Sequence, residues 1–202
     1  MKRKQVQGAT PRLVAFLGNP GSRYEKSRHN VAWIILEDLS SRWDLERPNQ
    51  WKEKFHGRFL KHTIRGREVI LLRPDTYMNH SGRSVRAAAD FFNIQPQEVL
   101  VIHDDLDTAF GTVQLLFAGG HRGQNGARSV AQHLGTTDFW HLRVGIGRPP
   151  GGRDPAAWVL ERFDQNEEPW IAELCSGTTG ALERALASEA APKEMTETLF
   201  MI

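Results

Sequence analysis

The chain has 202 residues, enough for one well-buried domain, and nothing in its composition marks a division into two. Lys and Arg number 26 against 24 Asp and Glu, and the resulting formal charge of +2 is too small to mark a nucleic-acid binder by itself. A single cysteine, Cys175, excludes an intramolecular disulfide and a cysteine-based zinc site and points to a reducing compartment, the cytoplasm by default; no apolar run reaches membrane-spanning length, and the basic start MKRKQVQ lacks the apolar core of a secretory signal.

The first predicted strand is the apolar run Leu13 to Leu17. It leads into LGNPGSRYEKSRHN, Leu17 to Asn30, where Pro20 fixes φ and Gly21 tolerates φ > 0, so the chain turns sharply. Val31, Ile34, Ile35 and Leu39 then repeat at helical spacing, which places Arg28, His29 and Asn30 near the first turn of a helix that fades near Trp43. If the strand is parallel and central, this connection lies in the crevice beyond the strand ends, where ligands bind in open α/β sheets. The positive end of the helix dipole disfavours imidazolium, which would keep His29 neutral and able to accept a proton. Taken alone, His29 is better read as a helix cap or packing residue.

Asp44 to Lys54 is polar, contains Pro48 and reads as a connection. Phe55 to Ile64 and Glu68 to Arg73 are strand-like, and Arg65-Gly66-Arg67 between them predicts a hairpin whose second, more apolar member is the more central. The loop PDTYMNHSG, Pro74 to Gly82, carries Tyr77, Met78 and Asn79. It precedes a helix with Ser81 as expected N-cap, Val85, Ala88, Ala89 and Phe92 as apolar face, and Asn93 with Pro96 as stop. Val99 to Ile102 reads as a buried strand delivering His103-Asp104-Asp105-Leu106-Asp107 at its C-terminal end. Gly111 to Phe117 is a further strand, followed by the bent loop AGGHRGQNG, Ala118 to Gly126. Val130 and Leu134 outline a short helix stopping at Gly135, and Leu142 to Ile146 is a strand that ends in a Gly/Pro-rich run. Trp170, Leu174, Leu182 and Leu186 fit one or two C-terminal helices broken near Ser176 to Gly180. Residues 1–11 and about 191–202 are expected as flexible tails around a single domain spanning 1–202. Strands alternating with helices make the class α/β.

Three glycine-containing loops invite nucleotide-binding labels and fail. LGNPGSRY is not G-x-G-x-x-G, AGGHRGQNG lacks the Gly-Lys-Ser/Thr ending of a P-loop, and the prolines of VGIGRPPGG do not open a Rossmann helix, so no nucleotide cofactor is assigned. HDDLD carries oxygen ligands and a histidine suited to a hard metal, but not at EF-hand spacing; its carboxylates suit a solvated, capped turn equally well. If the sheet is parallel there, Asp104 can approach His29 and bond one ring nitrogen, leaving the other to take a proton. No serine lies in G-x-S-x-G and Cys175 falls in a helical region, so covalent catalysis is unsupported. Asn19, Asn79 and Asn125 are each expected in loops on the same side of the sheet. Their amides suit an acyl substrate, although single asparagines are common in turns.

Taken together, LGNPGSRYEKSRHN, PDTYMNHSG, HDDLD, GGHRGQNGARS and LRVGIGRP, in that order from Leu13 to about Phe163, resemble the bacterial-type peptidyl-tRNA hydrolases. The resemblance implies a single domain with a twisted, mixed and mostly parallel sheet flanked by helices. It implies hydrolysis of the ester joining a peptide to the tRNA 3′ ribose, with no metal or other cofactor, by a cytoplasmic monomer that recycles tRNA. By the same resemblance His29 is the general base for water, Asp104 holds it, and Asn19 helps distinguish blocked from free aminoacyl groups. Tyr24, Tyr77, Asn79 and Asn125 contact the substrate's 3′ end and peptide, and Met78 lines the channel. Arg143 matches one residue of a clamp on the tRNA 5′ phosphate. The chain departs from the family pattern at Leu116, where a basic residue often completes that clamp, at Gln124, where many relatives have histidine, and at Arg122, where they usually have glycine and a cation can restore charge. Those departures motivate one alternative, an RNA-binding or splicing factor of the same fold with negligible turnover; a metal-dependent hydrolase built on HDDLD is the weaker third.

Overall fold

The computed structural model describes residues 8–45, 50–187 and 190–201. In chain order its main elements are β1 (Leu13–Phe16), α1 (Val31–Arg42), β2 (Lys52–Lys54), β3 (Gly57–Ile64), β4 (Arg67–Pro74), α2 (Ser81–Phe92), β5 (Val99–Asp105), β6 (Thr112–Phe117), α3 (Asn125–Leu134), β7 (Trp140–Gly145), α4 (Pro155–Leu160), α5 (Ile171–Ala187) and β8 (Met195–Thr198). The basic cluster Lys2 to Lys4 and the tail expectation for residues 1–7 lie outside the described residues.

A strand made only of apolar residues needs cover on both faces, and β1 has it: all four of its residues are fully buried. β1 is parallel to β4 on one side and β5 on the other, with Leu13 opposite both Ile70 and Val99. β7 extends the parallel core beyond β5. The full order is β2-β3-β4-β1-β5-β7-β6-β8, with antiparallel strands on both flanks. Side chains alternate between the faces. Val14, Phe16, Leu100, Ile102 and Leu142 pack with α1 and α5, while Leu13, Ala15, Val99 and Val101 pack with α2 and α3. Each large apolar side chain buried this way contributes roughly 1.5–3 kcal/mol, so the two layers fix the strand order.

Several local expectations are corrected by tertiary context. Lys52 to Lys54, read as connection, pairs antiparallel with β3 as an edge strand, and Phe55 and His56 form the turn at φ 59 and 54. Lysines on an exposed edge suit it, because they discourage pairing with another chain. Ser81 is not the N-cap of α2: a 3-10 turn, Met78–His80, feeds directly into the helix, and Ser81 is fully buried as its first residue. The next residue faces α3, and a Cβ on Gly82 would lie 2.1 Å from the Ser129 carbonyl oxygen, so only glycine permits this close approach. α5 runs unbroken through Ser176 to Gly180. Thr178 Oγ1 bonds the Leu174 carbonyl within the helix, and Gly177 leaves room for the Leu199 side chain. Packing overrides the glycines as breakers. Within the segment expected as a C-terminal tail, Met195–Thr198 is the outer strand β8, and Phe200 is buried beyond it. α4 lies in the stretch after Gly152 that reads as mostly helical with no bounds set there, although Asp154 caps it by accepting from Ala156 N and Pro155 opens it, a start signal that the sequence carries.

Candidate active site

The parallel core delivers three segments to one end of the sheet: the connection after β1, the 3-10 turn after β4, and the end of β5. A second 3-10 turn, Arg28–Asn30, places His29 immediately before α1, and its Nδ1 lies 2.9 Å from both carboxylate oxygens of Asp104. Both side chains are buried, His29 at 8% and Asp104 at 2% exposure. The carboxylate only accepts, so Nδ1 carries the proton and Nε2 presents its lone pair to the cleft that His29 lines.

The helix dipole does not decide the charge of this histidine. Burial pulls the pKa of His29 down, but the charge and hydrogen bond of Asp104 outweigh it and leave the ring above its ordinary 6.5. Burial would raise Asp104; the His29 charge and the hydrogen bonds from His29 and Gln124 hold it below its usual value. The shift therefore runs opposite to the one that the helix start alone suggests. Because the base must be unprotonated, the acid limb of kcat/KM is expected to titrate above pH 6.5, with Asp104 ionised throughout. A pH-rate profile checks this, and a midpoint well below 6.5 contradicts it.

Asn19 is held on three sides. Its backbone N–H donates to Asn30 Oδ1 at 2.8 Å, its carbonyl accepts from Asn30 Nδ2 at 3.0 Å, and its Oδ1 accepts from Met78 N at 2.8 Å. The remaining Nδ2 is the polar group that Asn19 offers the cleft. Met78 is buried at the floor, while Asn79 and Tyr77 are exposed at the rim. Asn125 opens α3 instead of lying in a loop, and its Oδ1 accepts from Arg128, which leaves its N–H groups outward. Tyr24, partly exposed, lines the same cleft, whose volume is about 740 Å³. Opposite the amides, Pro155, Ala156, Val159 and Leu160 of α4 form an apolar wall.

That wall is tied to the base through Arg28. Arg28 is 1% exposed, donates to the Arg162 carbonyl and to Glu167, and stacks 3.5 Å from the ring centre of Trp158 in α4. Its backbone N–H also donates to the Glu161 carbonyl at 2.9 Å. The residue before His29 thus anchors one wall of the cleft.

The cations divide differently from expectation. Arg143 is not brought to the cleft surface: it is 2% exposed, donates to the Gly120 carbonyl at 2.6 Å and lies 3.6 Å from Asp105. Arg122 is exposed on the cleft rim, 3.5 Å from the same carboxylate, and Arg148 at the rim pairs with Asp107 at 2.8 Å. Leu116 sits opposite His141 on the neighbouring strand and is only partly exposed. The carboxylates of HDDLD diverge, Asp104 to His29 and Asp105 to the arginines. His103 bonds its neighbour's carbonyl and lies 3.0 Å from Nδ1 of His141, both imidazoles held below their ordinary pKa by burial. Among the described residues no group of three or more His, Cys, Asp or Glu side chains is placed to hold a metal.

The sequence places Arg28 and Asn30 near the helix start and offers Asp105 as a metal ligand or part of a capped turn, but not the roles they take here, and it flags Gln124 only as a departure. Gln124 donates to Asp104 Oδ1 at 2.9 Å and caps α3. The helix start after Gly123 was a usable signal for the cap; the contact with a residue 20 positions away was not.

The profile of the family described as Peptidyl-tRNA hydrolase matches residues 13–199. The peptidyl-tRNA hydrolase of Mycobacterium marinum is 44% identical over 179 residues, 87% of this chain and 91% of that protein. That of Bacillus pumilus is 43% identical over 176 residues, 86% and 92% of the two chains. Among solved structures, the peptidyl-tRNA hydrolase of Acinetobacter baumannii superposes with a TM-score of 0.73 at 33% identity, covering 93% of this chain and 100% of that one.

Proposed function

The chain belongs to the peptidyl-tRNA hydrolase family, and from that premise we propose that it hydrolyses the ester between a peptide or N-blocked aminoacyl group and tRNA, with His29 as general base. The observation that carries this reading is the His29–Asp104 pair at 2.9 Å, with Nε2 turned to a cleft lined by asparagine amides.

In this mechanism a water on Nε2 attacks the ester carbonyl and its proton passes to the ring. Asp104 stabilises the imidazolium so formed and keeps the ring oriented. The carbonyl oxygen becomes an oxyanion, and the N–H groups of Asn19, Asn79 and Asn125 are the donors positioned to meet it and the adjoining peptide. Collapse expels the ribose 3′ oxygen, which takes the proton back from Nε2, leaving a free carboxylic acid and a tRNA hydroxyl. Tyr24 and Tyr77 flank the 3′ end, and Met78 with the α4 wall receives the acyl chain. In this reading the enzyme works as a cytoplasmic monomer that returns freed tRNA to translation. No described helix is long and apolar enough to cross a membrane.

The tRNA phosphates fall to the exposed cations. Arg122 stands at φ 45, a left-handed conformation that costs a non-glycine residue roughly 1–2 kcal/mol. A cation kept there despite strain supports a contact with the acceptor end, close to Asp105 and the inward-held Arg143. Arg122→Ala is expected to weaken tRNA binding and lower the slope of log K against log salt by about one, with kcat unchanged. An unaltered slope in a binding titration would remove Arg122 from the interface.

The deciding experiment is incubation with N-acetyl-aminoacyl-tRNA in EDTA. Release of free tRNA is expected. Intact substrate at the end would sink the hydrolase reading, and tight binding without release would favour the RNA-binding alternative.

A further inference from the structure

Gln124 is buried at the start of α3 with both ends of its amide committed. Oε1 accepts from Ala127 N at 2.7 Å and caps the helix. A backbone N–H only donates, so this contact identifies the oxygen end, and Nε2 is therefore the atom 2.9 Å from Asp104 Oδ1. The same nitrogen lies 3.3 Å from Met78 Sδ, which blocks its swing. Asp104 Oδ1 thus receives two donors, His29 Nδ1–H and Gln124 Nε2–H, from segments before α1 and before α3.

We infer that Gln124 is a positioning residue of this site, a neutral donor that holds the Asp104 carboxylate against His29 without adding a third titrating group. The inference rests on the reading of His29 as base. The charged and titratable neighbours bear it out by their directions. From β5, His103 faces the Asp104 main-chain carbonyl and the His141 ring of β7, while Asp105 faces Arg122 and Arg143. His80 and His121 line the cleft from the turn before α2 and the loop before α3, with His121 Nδ1 accepting from Gly123 N at 3.1 Å, and the face of α4 turned to the cleft, from Pro155 to Leu160, is apolar. His29 is the one cationic partner the Asp104 carboxylate bonds among the described residues. An imidazole or carboxyl in place of the Gln124 amide would exchange protons with the pair and split its titration into coupled steps; an amide cannot. Glutamine therefore leaves His29 to titrate as one group.

The test follows the His29 ring by NMR across pH, beside kcat and KM on N-acetyl-aminoacyl-tRNA, for the wild type, Gln124→Met and Gln124→His. Methionine keeps the length and removes the donor. Asp104 then relies on imidazolium alone, so the His29 pKa is expected to rise by about one unit, with kcat at neutral pH down about tenfold and KM within about twofold. A neutral histidine restores a donor and an acceptor, so Gln124→His is expected to recover kcat at alkaline pH while His29 titrates in two steps. An unshifted His29 titration in Gln124→Met overturns the proposal, as does a loss confined to KM. Where Gln124→Met fails to fold, a single-step titration in Gln124→His overturns it. An inactive wild type would instead sink the catalytic reading, and the NMR titrations would still test the role of Gln124.

Discussion

His29→Ala is expected to lower kcat/KM for release of tRNA from N-acetyl-aminoacyl-tRNA by about 10²–10⁴-fold, the span that a positioned general base contributes. The reason lies in the arrangement around one nitrogen. Asp104 accepts from Nδ1–H, Nε2 is left open to the cleft, and among the described histidines that line it, His29, His80 and His121, His29 is the one bonded to a carboxylate, while His103 and His141 are turned to each other beneath the strand end. Alanine removes the base and leaves the amide donors, so residual activity should come from orientation and oxyanion stabilisation alone. The loss should appear in kcat, with KM changed little, because Nε2 meets water and not the body of the substrate. Asp104→Asn is expected to be nearly as damaging, since an amide in that place can donate to Nδ1 and favour the tautomer with the proton on Nε2. Steady-state assays alongside a thermal melt decide the matter. An alanine variant within about threefold of wild type would show that another group activates the water.

The largest expected effect on stability is at Glu167. Arg28 and Glu167 form a buried pair, the guanidinium also facing Trp158 and the Arg162 carbonyl. The two partners are not equivalent. Burial already raises the pKa of Glu167 despite Arg28, so the carboxyl can escape an unpaired charge by taking a proton, whereas arginine cannot lose one. Removing the glutamate is therefore the costlier half. Glu167→Leu is expected to destabilise the fold by about 3–5 kcal/mol and to lower Tm by roughly 10 °C. Glu167 also accepts from Asp164 N, so the turn that leads to α5 should loosen with it. Because Arg28 shares its 3-10 turn with His29, catalysis should fall as well. The contrast is Arg153→Ala, which breaks a half-exposed pair with Glu161 and is expected to cost under about 1 kcal/mol. Equal melting temperatures for the two variants would show that the Arg28 cage carries no special energy.

Several parts of the site were legible because they depend on local rules. Leu13 to Leu17 and Val99 to Ile102 are apolar runs that need burial on both faces, and ligand-bearing loops follow such strands at their carboxyl ends. His29 and Asp104 could thus be paired in advance, provided the strands were neighbours and parallel. The register that sets Phe16 beside Ile102 meets that condition. Asn19, Asn79 and Asn125, expected on one side of the sheet, line the same cleft, and so do Tyr24, Tyr77 and Met78, which only the resemblance to the family had named.

Other features depended on which atoms meet across the fold. Arg143 looks like a surface cation in LRVGIGRP, yet its strand lies between β5 and β6 and the loop from Ala118 folds over it, so it serves Gly120 and Asp105. Glycines at 177 and 180 suggested a break that the packing of Leu199 against α5 overrides.

Periodicity and turn chemistry by themselves determined the α/β class, the strands that must be central and the side of the sheet that carries the chemistry. These follow from burial and backbone geometry, which act over a few residues. Only the tertiary structure decided the upward shift of the His29 pKa, the inward turn of Arg143, the Arg28–Glu167 anchor and the grip of Gln124 on Asp104. Each is a balance of desolvation against one partner brought from a distant segment, and a hydrogen bond at 2.9 Å has no signature in the spacing of the residues that make it.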